Sequence, residues 1–303
     1  MQFFITCILI FLFVLSNFCV QATPNVSILV GDRHTGSYQF AQELSRLWDT
    51  PVFRTNNSLI PVTEKFVQTR IERLRLRQGD LAIIDPQNAH QLLPKNPEIA
   101  AVSVLWPNIL YIIGLPSKTR PLGIQSTTPI HIHQNSDYFV ATWSKLLSLK
   151  NYNAAQFNWF TANEGQSILS KLNKDLLIVT APYPIQELDL FFKKNPSYRL
   201  IPLSDELLAS NRQHYPWIID RSLPANVYPV VGAEPLRLLT SFPVLVSRTD
   251  APKAFIQKLL EILFSQSSSI EPHTLFRFLD PQHNQLFEKN YPFHKISKKF
   301  FKL

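Results

Sequence analysis

The sequence predicts an α/β protein built as two similar lobes, each a mostly parallel sheet flanked by helices. Three observations predict it. Residues 26–47, VSILVGDRHTGSYQFAQELSRL, run from an alternating β-branched stretch through a glycine-bracketed turn into a helical stripe of Phe40, Leu44 and Leu47. That is the first half of a βαβ unit, and the chain then continues as β-α-β-α-β up to Asp85. Beyond residue 115 the same order returns: strand, polar turn, helix, strand, helix, strand, polar loop. The architecture is duplicated although the sequence is not.

The bulk numbers agree with a folded chain of this size. It has 303 residues, 45% hydrophobic and 17% charged, enough apolar surface for a sizeable core and too little charge for a disordered chain. Net charge is +8, spread along the chain with a denser patch at Lys295, Lys298, Lys299 and Lys302. No interleaving of arginines with aromatics accompanies it, so nucleic acid is not the expected partner. The terminal lysines read as a solvated face rather than a membrane-binding one.

The N-terminus reads as an export signal, with residues 1–22 removed. Phe3 through Leu15 is almost wholly apolar, polar Ser16-Asn17 follows, and Val20-Gln21-Ala22 suits cleavage before Thr23. The apolar run is shorter than the ~20 residues of a spanning helix. The mature chain is expected in the periplasm or secreted; the alternative is anchorage by the uncleaved segment. Cys7 and Cys19 are the chain's two cysteines, so the mature part has neither disulfides nor thiol chemistry.

Each element has its own justification. After the opening unit, Pro51 to Arg54 reads as a short strand and Asn56-Asn57-Ser58 as a turn. The helix from Glu64 to Gln78 carries Val67, Ile71 and Leu74 on its apolar stripe. Arg70, Arg73 and Arg77 share another face, expected to be solvated, and Gly79 is expected to cap the helix. Asp80 to Asp85 is a buried parallel strand. The apolar run from Val102 to Leu115 is a strand pair broken by Pro107, with the lobe crossing expected at Gly114-Leu115-Pro116. In the second set, strands are expected at Pro129–His133, Phe157–Phe160, Asp175–Val179 and Arg199–Leu203. Helices are expected at 138–149, 163–172, 184–192 and 204–215. A strand from Phe242 to Ser247 carries the chain back, followed by an amphipathic helix from Pro252 to Ser265 and a turn-rich tail that packs on the first lobe. The division is therefore 23–114 with 241–303 for the first lobe and 115–240 for the second.

No nucleophile elbow, P-loop, dinucleotide fingerprint or paired-histidine zinc helix is present, so no cofactor is expected. His131 and His133 face one side of a strand, as zinc or copper would accept, but no third ligand announces itself. With Ser136 and Asp137 nearby they also outline a less favoured, enzymatic alternative.

What the pattern does supply is polar loops at strand ends, where open α/β sheets take their ligands. Thr35, Gly36, Ser37 and Tyr38 form the first, Asp85 begins the second, and Asn135, Ser136 and Asp137 form the third. Tyr183 sits in the fourth, with Tyr138 and Trp106 near the group. Thr35, Ser37, Asn135 and Ser136 are neutral donors at helix starts; Arg33 or Arg54 would take a carboxylate, and Asp85 or Asp137 an ammonium. Asp85 reads equally well as the N-cap of the next helix. Both signs at one cleft suit an amino-acid-like zwitterion.

The chain also resembles a known family, the TAXI-type solute-binding receptors of TRAP transporters, within the type II periplasmic binding proteins. The resemblance rests on Thr35-Gly36-Ser37-Tyr38, on Leu74 to Ile84, and on the proline-rich loop from Leu223 through Tyr228 to Pro229. The run from Pro243 to Pro252 and the closing Leu279-Asp280-Pro281 and Pro292-Phe293-His294-Lys295 complete it. It implies a two-lobed venus-flytrap receptor, with Thr35 to Tyr38 on the ligand and Tyr228 in the matching loop. It further implies capture of a small anionic or amino-acid-like solute for a membrane permease. The family's second-lobe Gly-Ser-Gly-Thr turn is here Asn135-Ser136-Asp137-Tyr138, without either glycine. That departure points to a different ligand, or to a derived binding module used for protein interaction or sensing without transport.

Overall fold

The structure is a computed structural model. It describes residues 25–33, 35–49, 57–114, 130–133, 152–155, 176–181, 186–225, 228, 235–265 and 275–303. In chain order the strands are β1 (Val26–Val30), β2 (Leu59–Thr63), β3 (Leu81–Ile84), β4 (Ile99–Val104), β5 (Asn108–Gly114) and β6 (Ile130–His133). They continue as β7 (Tyr152–Ala155), β8 (Leu176–Ala181), β9 (Arg199–Leu200), β10 (Ile219–Leu223), β11 (Leu236–Ser241) and β12 (Val244–Arg248). The helices are α1 (Gly36–Trp48), α2 (Val67–Arg75), α3 (Pro86–Leu92), α4 (Gln186–Lys194), α5 (Asp205–His214), α6 (Lys253–Ser265), α7 (Gln282–Leu286) and α8 (Lys295–Phe301).

The strands form two sheets, ordered β2-β1-β3-β12-β4 and β10-β11-β5-β8-β6-β7, with β9 paired to β5. The two-lobed α/β architecture read from the sequence is therefore present. Both sheets are mixed, however. β1 runs parallel to β2 and β3, and β6 parallel to β7 and β8. β12 is antiparallel to both its neighbours, and β5 is antiparallel to β8, β9 and β11. The reason lies in the connections: these strands are entered directly from the other sheet, without the crossover helix that parallel pairing needs.

The point of crossing differs from the expectation. The sequence places β5 with the first lobe and the crossing after Gly114; the ladder puts β5 in the second sheet. The chain leaves the first sheet through Leu105-Trp106-Pro107 and returns through Phe242-Pro243. Pro107 has no N–H for a ladder, so the apolar run breaks there, and the break separates two sheets rather than two strands of one.

Alternation sets the core of the first sheet. Ile28, Val30, Leu81, Ile83 and Leu245 point to one face, under Phe40, Leu44 and Trp48 of α1 and Ile256, Leu259 and Leu263 of α6. Leu29, Ala82, Ile84, Val244 and Val246 point to the other, under Ile71 and Leu74 of α2, Ala89 of α3 and the tail residues Phe287, Tyr291 and Phe293. Each buried Val, Leu, Ile or Phe among them contributes about 1.5–3 kcal/mol. The tail is tied to β4 by the backbone, since Ala101 N–H donates to Pro292 and His294 N–H to Ala101. Of the expected second-lobe elements, the helices at 138–149 and 163–172 and the strand at 157–160 lie outside the described residues. Among the described residues no helix is long and apolar enough to cross a membrane.

Candidate functional site

β1 and β3 are parallel neighbours in register, Ile28 beside Leu81 and Leu29 beside Ala82, so their carboxyl ends emerge together. The turn after β1 and the segment after β3 thus flank one another, as the sequence requires.

Thr35 is the N-cap of α1, extended at φ −88°, ψ 151°. Its hydroxyl donates to the Asp32 carbonyl at 2.7 Å, and Ser37 Oγ lies 2.9 Å away. Ser37 Oγ accepts from Gly31 N–H at 3.2 Å, and Tyr38 N–H reaches Thr35 Oγ1 at 3.3 Å. A hydroxyl has one proton. Thr35 gives its proton to Asp32, so Ser37 must give its own to Thr35. Neither side chain is then a donor to a ligand, contrary to the sequence expectation. The open donors are main-chain: Gly36 and Ser37 N–H have no partner among the described residues. They stand at the positive end of a 13-residue helix, the arrangement that favours an anion.

Gly36 also fixes where this end lies. A Cβ there would sit 3.6 Å from Trp106 and 3.5 Å from Leu275. Trp106 belongs to the outgoing crossing, is 3% exposed, and donates its Nε1–H to Asn108 Oδ1 at 3.0 Å. The first turn of α1 therefore abuts the segment that joins the two sheets.

Asp85 caps α3. Its Oδ1 accepts Asn88 N–H at 2.8 Å and its Oδ2 the Asn88 side-chain amide at 2.6 Å. Burial pushes its pKa above the usual carboxylate value, against the pull of those hydrogen bonds and of Arg70. Arg70 is the residue the sequence pattern did not single out. Expected on a solvated face, it is buried, and its guanidinium donates to the carbonyls of Glu64, Ile83 and Lys65. It thereby ties the segment after β2 to the carboxyl end of β3. Burial lowers its pKa, while Asp85, Glu64 and Asp32, all within electrostatic reach, oppose that. One cation thus sits under the turn and Asp85 together. The only signal in the sequence was its position one residue before Ile71 and one turn before Leu74 of the buried stripe. Tyr291 closes the group from the tail, its hydroxyl donating to the Pro86 carbonyl at 3.3 Å.

No family model and no curated protein matches the sequence. Solved structures do. XAC2383 from Xanthomonas citri bound to chloride ion superposes with a TM-score of 0.50 at 11% identity, over 90% of this chain and 97% of that one. The amino acid ABC transporter substrate-binding protein AbpA from Streptococcus pneumoniae bound to L-arginine gives 0.44 at 10%, over 89% and 98%. The GluR0 ligand-binding core in complex with L-glutamate gives 0.44 at 11%, over 86% and 100%. At 11% identity the likeness to XAC2383 is one of fold.

The remaining candidates divide. Tyr38 is half-buried at the edge of the core beneath α1. Tyr228 is 1% exposed, with its ring 6.2 Å from Tyr111 and 5.9 Å from Phe192, so it packs inside the second lobe. Arg33 is exposed. Asn135, Ser136, Asp137, Tyr138, Tyr183 and Arg54 lie outside the described residues. β6 holds His131 and His133, and among the described residues no three His, Cys, Asp or Glu side chains gather as a metal set.

Proposed function

We propose that this chain is a non-catalytic receptor that closes two lobes, hinged at the paired crossings, over one small anionic or amino-acid-like solute. The observation that carries the reading is the first turn of α1, where the Gly36 and Ser37 N–H groups have no partner among the described residues and Gly36 lies beside the crossing residue Trp106. A carboxylate end held there lies where lobe closure would bury it. Asp85, half-buried on the neighbouring strand end, is the group nearest in kind to an ammonium partner, although both its oxygens already serve Asn88. Export to the periplasm follows from the N-terminal reading. Delivery to a TRAP-type permease is the finer reading and rests on the family resemblance.

A thermal-shift screen of amino acids, dicarboxylates and sugar acids tests it. A true ligand at 100 times its dissociation constant adds about 2.7 kcal/mol to stability. A folded protein that no compound in these classes stabilises would sink the proposal.

A further inference from the structure

The C-terminal helix α8 carries a surface that ligand capture leaves unexplained. Its sequence is KISKKFF, and Lys302 follows in the left-handed conformation at φ 58°. Lys295, Lys298 and Lys299 are spaced i, i+3 and i+4, which puts them on one face of the helix, and Lys302 follows at its cap. All four are exposed. The opposite face is buried through Ser297 and Phe301, and Phe301 packs edge-on against Phe264 of α6 at 5.3 Å. None of the four lysines forms an ion pair among the described residues, and the sequence has no acidic residue after Glu288. Like charges at these spacings weaken a helix, and Lys295 additionally faces the positive end of the dipole. Phe300, 39% exposed, flanks this face.

We propose that this face, which the sequence alone reads as merely solvated, docks the protein on an anionic lipid bilayer. Four exposed ammonium groups match a diffuse field of lipid phosphates, which asks for charge but for no fixed geometry. A folded acidic partner would be expected to meet arginine forks, and α8 has none. Phe300, 39% exposed beside the Phe264 and Phe301 rings, supplies the partly open apolar side chain that an interfacial helix seats among headgroups. Capture of a solute is not needed for this docking, so the two proposals stand or fall separately.

The test is co-sedimentation of the full chain with vesicles of phosphatidylglycerol and phosphatidylcholine, compared with phosphatidylcholine alone, at low and high salt. The apolar N-terminal segment would bind both vesicle types, so the difference between them isolates charge. The expected result is a preference for the anionic vesicles that high salt abolishes. Each lysine removed should weaken it about fivefold, so Lys298→Ala with Lys299→Ala costs more than tenfold while the melting temperature holds. Phe300→Ala should weaken binding further at constant charge. Equal binding to both vesicle types, an unchanged preference in the lysine variant, or binding to heparin without any gain on anionic vesicles would each overturn the proposal.

Discussion

Gly36 is the residue at which structure and chemistry can be separated most cleanly. It is the first helical position of α1, where proline is tolerated because the N–H is free in any case. Thr35 before it is already extended, as a residue preceding proline must be, and the space around a Cβ is ordinary van der Waals contact. Gly36→Pro should therefore leave the unliganded melting temperature unchanged while deleting one anion donor. A hydrogen bond to a charged group is worth about 1.5–3 kcal/mol, so ligand affinity should fall tenfold or more. Calorimetric titration reads it, and an unaltered affinity would move the anion site away from α1. Asp85 makes a prediction of opposite character. Its folded pKa is raised by burial, so between the unfolded value and that raised value the native state holds the extra proton. Stability then falls as pH rises through that window, and the cost persists above it. Asn caps a helix as well as Asp. Asp85→Asn should thus remove the falling limb and leave stability above the window equal or higher in urea titrations; a variant less stable there would show that the charge itself is needed.

Among the elements, α2 shows what local sequence can and cannot specify. The apolar stripe of Ile71 and Leu74 is legible in the spacing, and the helix forms where that stripe lies. Its end is not where the glycine suggests. The helix stops at Arg75, and the left-handed residue is Arg77, φ 59°, with Arg77 N–H on the Leu74 carbonyl and Gln78 N–H on that of Arg73. That pair of bonds is a Schellman closure with arginine at the position glycine prefers. Gly79 is needed for space instead. A Cβ there would lie 2.9 Å from Leu29 Cδ1, so its absence lets the chain pass close over β1. Composition marks a glycine, but only packing says whether conformation or space requires it. Arg77→Gly should be about 1 kcal/mol more stable than Arg77→Ala, because both lose the surface pair to Asp250 and only glycine relieves the left-handed backbone. Equal stabilities of the two variants in urea titrations would refute that account of the cap.

At the scale of the whole molecule, the strand and helix order of the first half, and β6, β8, α4 and α5 of the second, were legible because alternation and helical spacing are local signals. The seam between the halves was not, because a proline within an apolar run looks the same whether the next strand joins this sheet or another. Contacts across the seam were equally hidden, since they bring distant segments together. Arg221 of β10 in the second sheet reaches His283 of α7 in the tail, Nη1 to Nε2 at 3.1 Å. The Pro216 carbonyl accepts from Asn290 at 3.2 Å, and the Trp217 ring lies 5.1 Å from His90 of α3. His283 is the most enclosed contact of this seam through its ring, 6% exposed and 4.7 Å from the Phe242 ring on the returning crossing. Burial lowers its pKa to about 4, helped by a smaller push from Arg221, with Asp280 opposing. An arginine N–H donates to Nε2 only while that nitrogen is unprotonated, so the contact belongs to the neutral ring. The unfolded ring titrates near 6.5 and the folded one near 4, so the unfolded state takes up the proton first as pH falls. Stability is then complete above about pH 6.5 and declines down to about pH 4, by roughly 3 kcal/mol for a shift of this size. His283→Gln keeps a polar side chain at the seam but cannot titrate. Urea unfolding across this range should give the wild-type protein a steeper loss than the variant, and parallel curves would mean that His283 is not the group that makes the seam sensitive to acid.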